Sequence, residues 1–273
     1  MPAWLGFRQR PLHHIGRRLR FRVLGWLSNR PPNSKRIYLV TIGDRRFKRV
    51  VFSDSHQAEI AAARLEAFGP TGIYPALVLQ RERELWVEYV EGEPLRQADG
   101  EVAAQLADLF AVLYRRDPRC EPIEATPFAW ALQRDLRFLR DVGVISQGTH
   151  RQLDEIAGKL APKQVWVGYD CTDAILKNFV RDREGRIRGV DVESLGADQL
   201  LGSGVAKAAV RWLGPLRNAF LAELREREVP DFIPYFPFVE MSFLAFWQKS
   251  SFLEKKRRFV DPSLFDRFLG ESA

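Results

Sequence analysis

The chain has too few thiols and imidazoles to be a zinc protein or a disulfide scaffold. Its 273 residues include two cysteines, Cys120 and Cys171, and four histidines, His13, His14, His56 and His150, in no ligand spacing. A structural zinc needs four such ligands at short intervals, and a stapled fold needs several cysteine pairs. A reducing, cytoplasmic setting is therefore the expected one, and one pair is the most the cysteines allow. No apolar run approaches the roughly 18 residues of a spanning helix, and no uninterrupted apolar core marks a secretory signal. Internal repeats and low-complexity tracts are absent too, which sets aside solenoid and fibrous architectures.

What is present is enough for a substantial core. The chain is 46% hydrophobic and 28% charged with a mean hydropathy of −0.25, the profile of a globular protein built as one large domain or two lobes. Its net charge of +7 is unevenly placed. Residues 1–36 hold nine Lys or Arg and no Asp or Glu, so the rest of the chain nets −2 and the basicity belongs to an arm. Within that arm Leu12, Ile15, Leu19, Val23, Trp26 and Leu27 recur at helical spacing, while Arg17, Arg18, Arg20 and Arg22 fall mostly elsewhere around the helix. A basic amphipathic helix over residues 1–30 suits an anionic membrane surface, at about 1 kcal/mol per basic residue near the headgroups. Packing on the domain with solvated arginines is the competing expectation. A mitochondrial presequence would be richer in Ser, and a nucleic-acid arm would be expected to precede a recognisable nucleic-acid fold.

Pro31-Pro32-Asn33 closes the arm. Arg36–Ile42 and Arg46–Phe52, β-branched and aromatic runs joined by Gly43-Asp44, predict a hairpin. Asp54 and Gln57 form a capping pattern for a helix that Gly69-Pro70 ends, with Ala61, Leu65 and Phe68 on its buried face. Two more strands are expected over Ile73–Leu79 and Glu84–Val90. Helices follow over Glu101–Arg116, Phe128–Val142 and Thr149–Leu160. Leu106, Leu109, Phe110 and Leu113 are core candidates in the first, and Trp130, Leu132, Leu136 and Leu139 in the second. After residue 200 a helix is expected over Val205–Glu226. An aromatic tail beside the basic cluster 255–258 would then complete the helical part or present a second membrane- or substrate-facing element.

The chain is organised around Val165–Gly196, VWVGYDCTDAILKNFVRDREGRIRGVDVESLG. It reads as a strand from Val165 to Val167, a loop holding Asp170, Asp173 and Asn178, a strand Phe179-Val180, a charged turn, and a strand Val190-Asp191-Val192. Carboxylates and an amide in neighbouring bends suit phosphoryl transfer. One Asp positions or deprotonates an acceptor hydroxyl, while Asn and a second Asp supply the hard oxygen ligands that magnesium prefers.

These residues resemble the catalytic and metal loops of the protein-kinase-like superfamily, in its aminoglycoside phosphotransferase and bacterial lipopolysaccharide-kinase branch. Gly168-Tyr169-Asp170, Asn178, Asp191 and Glu193 stand where that family has its His-Gly-Asp triplet, its Asn and its metal-binding Asp with a following Glu. Gly168 replaces the family's His. The family places Asn five residues after its catalytic Asp, which is the interval from Asp173 to Asn178, whereas Asp170 lies eight residues before it. Asp170 is the base if the loop carries an insertion, and Asp173 if it does not; strand context favours Asp170. LWVEYVEGEPL similarly resembles the strand-to-hinge segment whose backbone receives an adenine.

The resemblance implies an α+β, two-lobed protein-kinase-like fold. The expected divisions are the arm 1–36, a small β-rich nucleotide-binding lobe over 37–93 and a helical catalytic lobe over 94–273. It implies an ATP- and magnesium-dependent kinase. Lys48 would lie on the phosphates, with Arg46 and Arg49 as alternatives, and Glu59 would pair with it, with Glu66 as the other candidate. Asn178 and Asp191 would hold the metal. The acceptor is expected to be a hydroxyl on lipopolysaccharide or another membrane-linked sugar, with the protein peripheral on the inner membrane. No Gly-rich loop accompanies the first hairpin, only Gly43. The alternative is therefore a pseudokinase that acts as a regulatory or binding module at the membrane surface.

Overall fold

A computed structural model of the chain describes residues 7–11, 36–256 and 259–270. The amphipathic pattern from Leu12 to Leu27 lies outside the described residues. The chain forms two compact units, one running to Leu95 and including Lys177–Leu195, the other made of Arg96–Leu176 and the residues from Gly196 onward. Segment 177–195, expected in the helical part, therefore belongs with the sheet.

The first unit is built on a five-stranded antiparallel sheet in the order β1-β2-β3-β5-β4. Its strands are β1 (Phe7–Pro11), β2 (Arg36–Ile42), β3 (Arg45–Val51), β4 (Leu77–Arg81) and β5 (Glu84–Glu88). Gly43, at φ +58, opens the two-residue turn between β2 and β3, as a turn that matches strand twist requires. The pleat puts Lys48 and Val50 on one face, cross-strand from Val87 and Leu85, which are fully buried. Phe47, Arg49, Tyr38 and Trp86 share the other face, where the Arg49 guanidinium lies over the rings of Tyr38 and Trp86.

Helix α1 (Ser55–Phe68) starts where the Asp54 carboxylate accepts the Gln57 N–H at 2.9 Å, and buries Ala58, Ala61, Ala62, Leu65 and Phe68. Ile73–Ala76, expected as strand, is instead connection. The Ile73 carbonyl accepts the Gly189 N–H and the Ala76 carbonyl accepts that of Glu88.

Segment 177–195 joins this unit through a second, three-stranded sheet, β10-β9-β6. It contains β6 (Gly92–Pro94), β9 (Phe179–Asp182) and β10 (Ile187–Gly189). β10 stops at Gly189, so Val190 and Asp191 lie beyond the strand expected for them. Arg188, almost wholly buried, fixes the end of β10 with two hydrogen bonds to the Glu88 carboxylate at 3.0 and 2.8 Å and one to the Tyr74 carbonyl at 3.0 Å.

The second unit packs helices α2 (Gly100–Tyr114), α3 (Phe128–Asp141), α4 (Gln147–Leu160), α5 (Ser203–Ala208), α6 (Arg217–Glu226), α7 (Phe236–Leu253) and α8 (Asp266–Leu269). A sheet in the order β11-β8-β7 runs among them, with β7 (Arg119–Pro122), β8 (Gln164–Cys171) and β11 (Leu195–Leu200). Phe110, Tyr114, Phe220, Phe232 and Phe236 meet edge to face in its core. The helix expected over 205–226 is broken at Gly214-Pro215, where proline removes an N–H that a continuous helix would need. Trp130, expected in the core, is 54% exposed and lies under the Arg134 guanidinium, while Leu132, Leu136 and Leu139 are buried.

β9 leaves no room for a side chain at Gly92 of β6, since a Cβ there would collide with the Arg181 carbonyl oxygen. Gly92→Ala is expected to destabilise the protein by about 1–3 kcal/mol through forced separation of these strands. Gly100→Ala, at an open position, should change stability by less than about 0.5 kcal/mol. Thermal melts of the two variants make the comparison, and equal melting points would contradict the tight approach.

Candidate active site

Three expected site residues meet in the sheet unit. From β3, the Lys48 ammonium donates to the Val190 carbonyl at 2.8 Å, spanning 142 residues of sequence. The Val190 N–H donates to the Asn178 carbonyl at 2.9 Å, and the Asn178 amide donates to an Asp191 carboxylate oxygen at 3.3 Å. Backbone pairing thus fixes where Asn178 and Asp191 start, and their side chains converge. The Asp191 carbonyl accepts from both the N–H and the hydroxyl of Ser194, at 3.0 and 2.7 Å, which turns the chain back after the carboxylate.

The structure separates Lys48 from the other candidates on its strand. Arg46 pairs with Glu91, and Arg49 pairs with Glu84 through a 2.9 Å hydrogen bond. The expected acidic partner is not there. Glu59 and Glu66 are both exposed, and neither pairs with Lys48 among the described residues. The α1 side chain that reaches the Val190–Leu195 segment is Arg64, whose Nη1 donates to the Leu195 carbonyl at 2.9 Å. Five residues on an α-helix turn about 140° around its axis, so Glu59 and Arg64 point in different directions.

The donor set fits magnesium bound together with phosphates. The Asn178 amide N–H donates to an Asp191 carboxylate oxygen at 3.3 Å; with the amide turned over, its oxygen and that carboxylate would give the sparse hard ligation that magnesium completes with water and phosphate. No cluster of three or more His, Cys, Asp or Glu that could cage an ion exists among the described residues. The fit to a nucleotide is less complete. The β2–β3 connection is a two-residue turn, too short to offer a row of backbone N–H groups to a phosphate chain.

The two candidate bases lie in the helical unit, in different surroundings. Asp170, expected in a loop, is inside β8 and fully buried. Its carboxylate accepts from the Tyr114 hydroxyl at 3.2 Å, the Gly204 N–H at 2.9 Å and the Cys171 N–H at 2.7 Å. That is the bonding of a structural carboxylate, with its oxygens used inside the core. Asp173, just past the strand, has a side chain 40% exposed and is paired with Lys207 of α5. The Trp212 indole N–H, donating to the Ala174 carbonyl at 2.8 Å, holds the residue after it. Lys207, Trp212 and Arg64 carry no sequence mark that separates them from other basic or aromatic residues; only the fold assigns them.

Burial pushes the Asp170 carboxyl up to about 7, against the hydrogen bonds from Gly204, Cys171 and Tyr114 that favour its charged form. The Tyr114 phenol is driven well above its usual range, first by burial and then by the charge of Asp170. A carboxyl raised in the folded state binds its proton more tightly there than in the unfolded chain. Its contribution to stability is therefore complete below an unfolded value near 3.8 and is lost as pH rises through about 7. Asp170→Asn cannot titrate. Relative to wild type, its melting temperature is expected to rise steadily between about pH 4 and 7 and to hold constant above. Calorimetric melts across that range check this, and a difference independent of pH would contradict it.

Neither a protein-family model nor a curated protein sequence matches the chain. Solved structures do. The macrolide 2′-phosphotransferase of Brachybacterium faecium superposes with a TM-score of 0.63 at 11% identity, over 83% of this chain and 86% of that one. The choline kinase of Streptococcus pneumoniae gives a TM-score of 0.60 at 13% identity, over 92% and 86%. A thermostable mutant of an aminoglycoside phosphotransferase gives 0.54 at 13%, over 84% and 88%. The chain has the α+β, two-lobed protein-kinase-like fold, in the form these phosphotransferase and choline kinase structures share.

Proposed function

We propose that the chain is a phosphotransferase that moves the terminal phosphoryl group of ATP, with magnesium, to an acceptor hydroxyl. The observation that carries this reading is the convergence of Lys48, Asn178 and Asp191 around Val190. Asn178 and Asp191 would hold the metal, which would neutralise charge that develops on the transferring phosphate. Lys48, held by one carbonyl, keeps two ammonium hydrogens for phosphate oxygens. Asp173 is the residue for the acceptor proton. It is partly exposed, five residues before Asn178, and oriented by Lys207, whereas the oxygens of Asp170 are used inside the core. As the acceptor oxygen bonds to phosphorus and the bond to the ADP oxygen breaks, the hydroxyl proton passes to Asp173.

The similar structures are named for macrolides, choline and aminoglycosides, which supports a hydroxyl on a small molecule or exposed group as acceptor. The acid-free, nine-cation stretch at residues 1–36 favours a hydroxyl carried by an anionic membrane-linked glycan such as lipopolysaccharide, with the protein peripheral on the membrane. No helix among the described residues is long and apolar enough to cross a membrane.

A regulatory module without transfer is the second reading, and the two-residue turn at Gly43-Asp44 and the exposure of Glu59 favour it. Assays with labelled ATP, with water or a glycan as acceptor, distinguish the two. Asp173→Asn is expected to lower transfer by about 10²–10⁴-fold with ATP binding intact. Asp191→Asn is expected to remove magnesium-dependent thermal stabilisation by ATP. A wild-type protein that ATP stabilises, but that neither hydrolyses nor transfers phosphate, would contradict the enzyme and favour the module.

A further inference from the structure

Among the described residues, the sheet unit carries two half-buried cations, Lys48 and Arg64, that form no ion pair with a carboxylate. Three basic side chains of the unit have an acid: Arg46 has Glu91, Arg49 has Glu84 and Arg188 has Glu88. Lys48 and Arg64 do not. Among the described residues, the only hydrogen bond from the Lys48 side chain goes to the Val190 carbonyl, and the only one from the Arg64 side chain goes to that of Leu195. Both carbonyls belong to one folded segment, and Asp191 stands next to the first of them. A cation drawn partly out of water without a counter-ion is costly, and two on the same segment call for an anion of more than one charge. With Nη1 engaged, the Arg64 fork still has Nη2 and Nε to offer, which is the geometry that grips phosphate oxygens in pairs.

The tight β2–β3 turn makes the same point from the other side. A chain of phosphates held in a fold of this kind needs donors, and two turn residues supply few backbone N–H groups. Side-chain cations can take that place. On α1, a side chain that hydrogen-bonds to the Val190–Leu195 segment, Arg64, is basic, where an acidic partner for Lys48 is expected.

We propose that Arg64 is a second polyphosphate-binding residue, acting with Lys48 on the phosphate chain of a nucleoside triphosphate in place of a backbone loop. The proposal rests on the phosphotransferase reading for the identity of the ligand, and on the two unbalanced cations for its charge. Arg64 also ties α1 to the segment, so a purely structural part must be separated from a binding one by how affinity depends on phosphate number.

Calorimetric titrations of the full chain with magnesium-ATP, AMP and tripolyphosphate, on wild type, Arg64→Gln and Arg64→Lys, make that separation. Arg64→Gln is expected to weaken ATP and tripolyphosphate by tenfold or more and to leave AMP within twofold, and Arg64→Lys is expected to recover most of the loss. A parallel fall for ATP and AMP, or no fall for ATP, would overturn the proposal while the phosphotransferase reading stands. Wild-type protein that binds tripolyphosphate through Arg64 but discriminates no nucleotide would support the cation pair and sink the kinase. Wild-type protein that binds neither ATP nor tripolyphosphate would sink both.

Discussion

A single hydrogen bond, from the Lys48 ammonium to the Val190 carbonyl, ties the third strand of the sheet to a segment 142 residues further along the chain. The neighbouring contacts follow from it. Val190 is held against Lys48, so its N–H meets the Asn178 carbonyl, and Asp191 turns toward the Asn178 amide. Arg64 fastens the far end of the segment at Leu195, and the pairing of β9 with β6 fastens its beginning. A stretch that the sequence places among helices is thereby built into the sheet unit, with an amide, a carboxylate and two cations set against one backbone.

Much of this was legible in the sequence because it rests on local rules. Alternation and a glycine turn mark the β2–β3 hairpin, the Asp54 cap and Gly69-Pro70 mark both ends of α1, and the sequence singles out Asn178 and Asp191, whose side chains the structure brings together. What was not legible depends on partners far away in sequence. Asp170 looked like a loop residue, but Tyr114 and the backbone of Gly204 draw it into the core and extend β8 through it. Glu59 looked like the partner of Lys48, but the buried stripe of α1 leaves it facing solvent. Short strands such as β6, β7 and β11 carry too little periodic pattern to be read before their partners are known.

The two aspartates show how burial divides roles. Asp170 spends its oxygens on fixed donors and holds β8 to α2 and α5, so its proton affinity reports on folding. Asp173 keeps one side toward solvent and one cation beside it, which supports the proposal that it takes the acceptor proton. Five-residue spacing to Asn178 and partial exposure are what the proposal of Asp173 rests on, whereas strand context alone points to Asp170.

Magnesium with ATP is proposed to bind at Asn178 and Asp191, beside Lys48. The most direct measurement is a crystal structure of the protein with magnesium and a non-hydrolysable ATP analogue. The predicted result is a metal about 2.1 Å from the Asn178 side-chain oxygen and an Asp191 carboxylate oxygen, with phosphate oxygens on Lys48. A nucleotide bound with its metal on other residues, or with Lys48 still directed only at Val190, would contradict it.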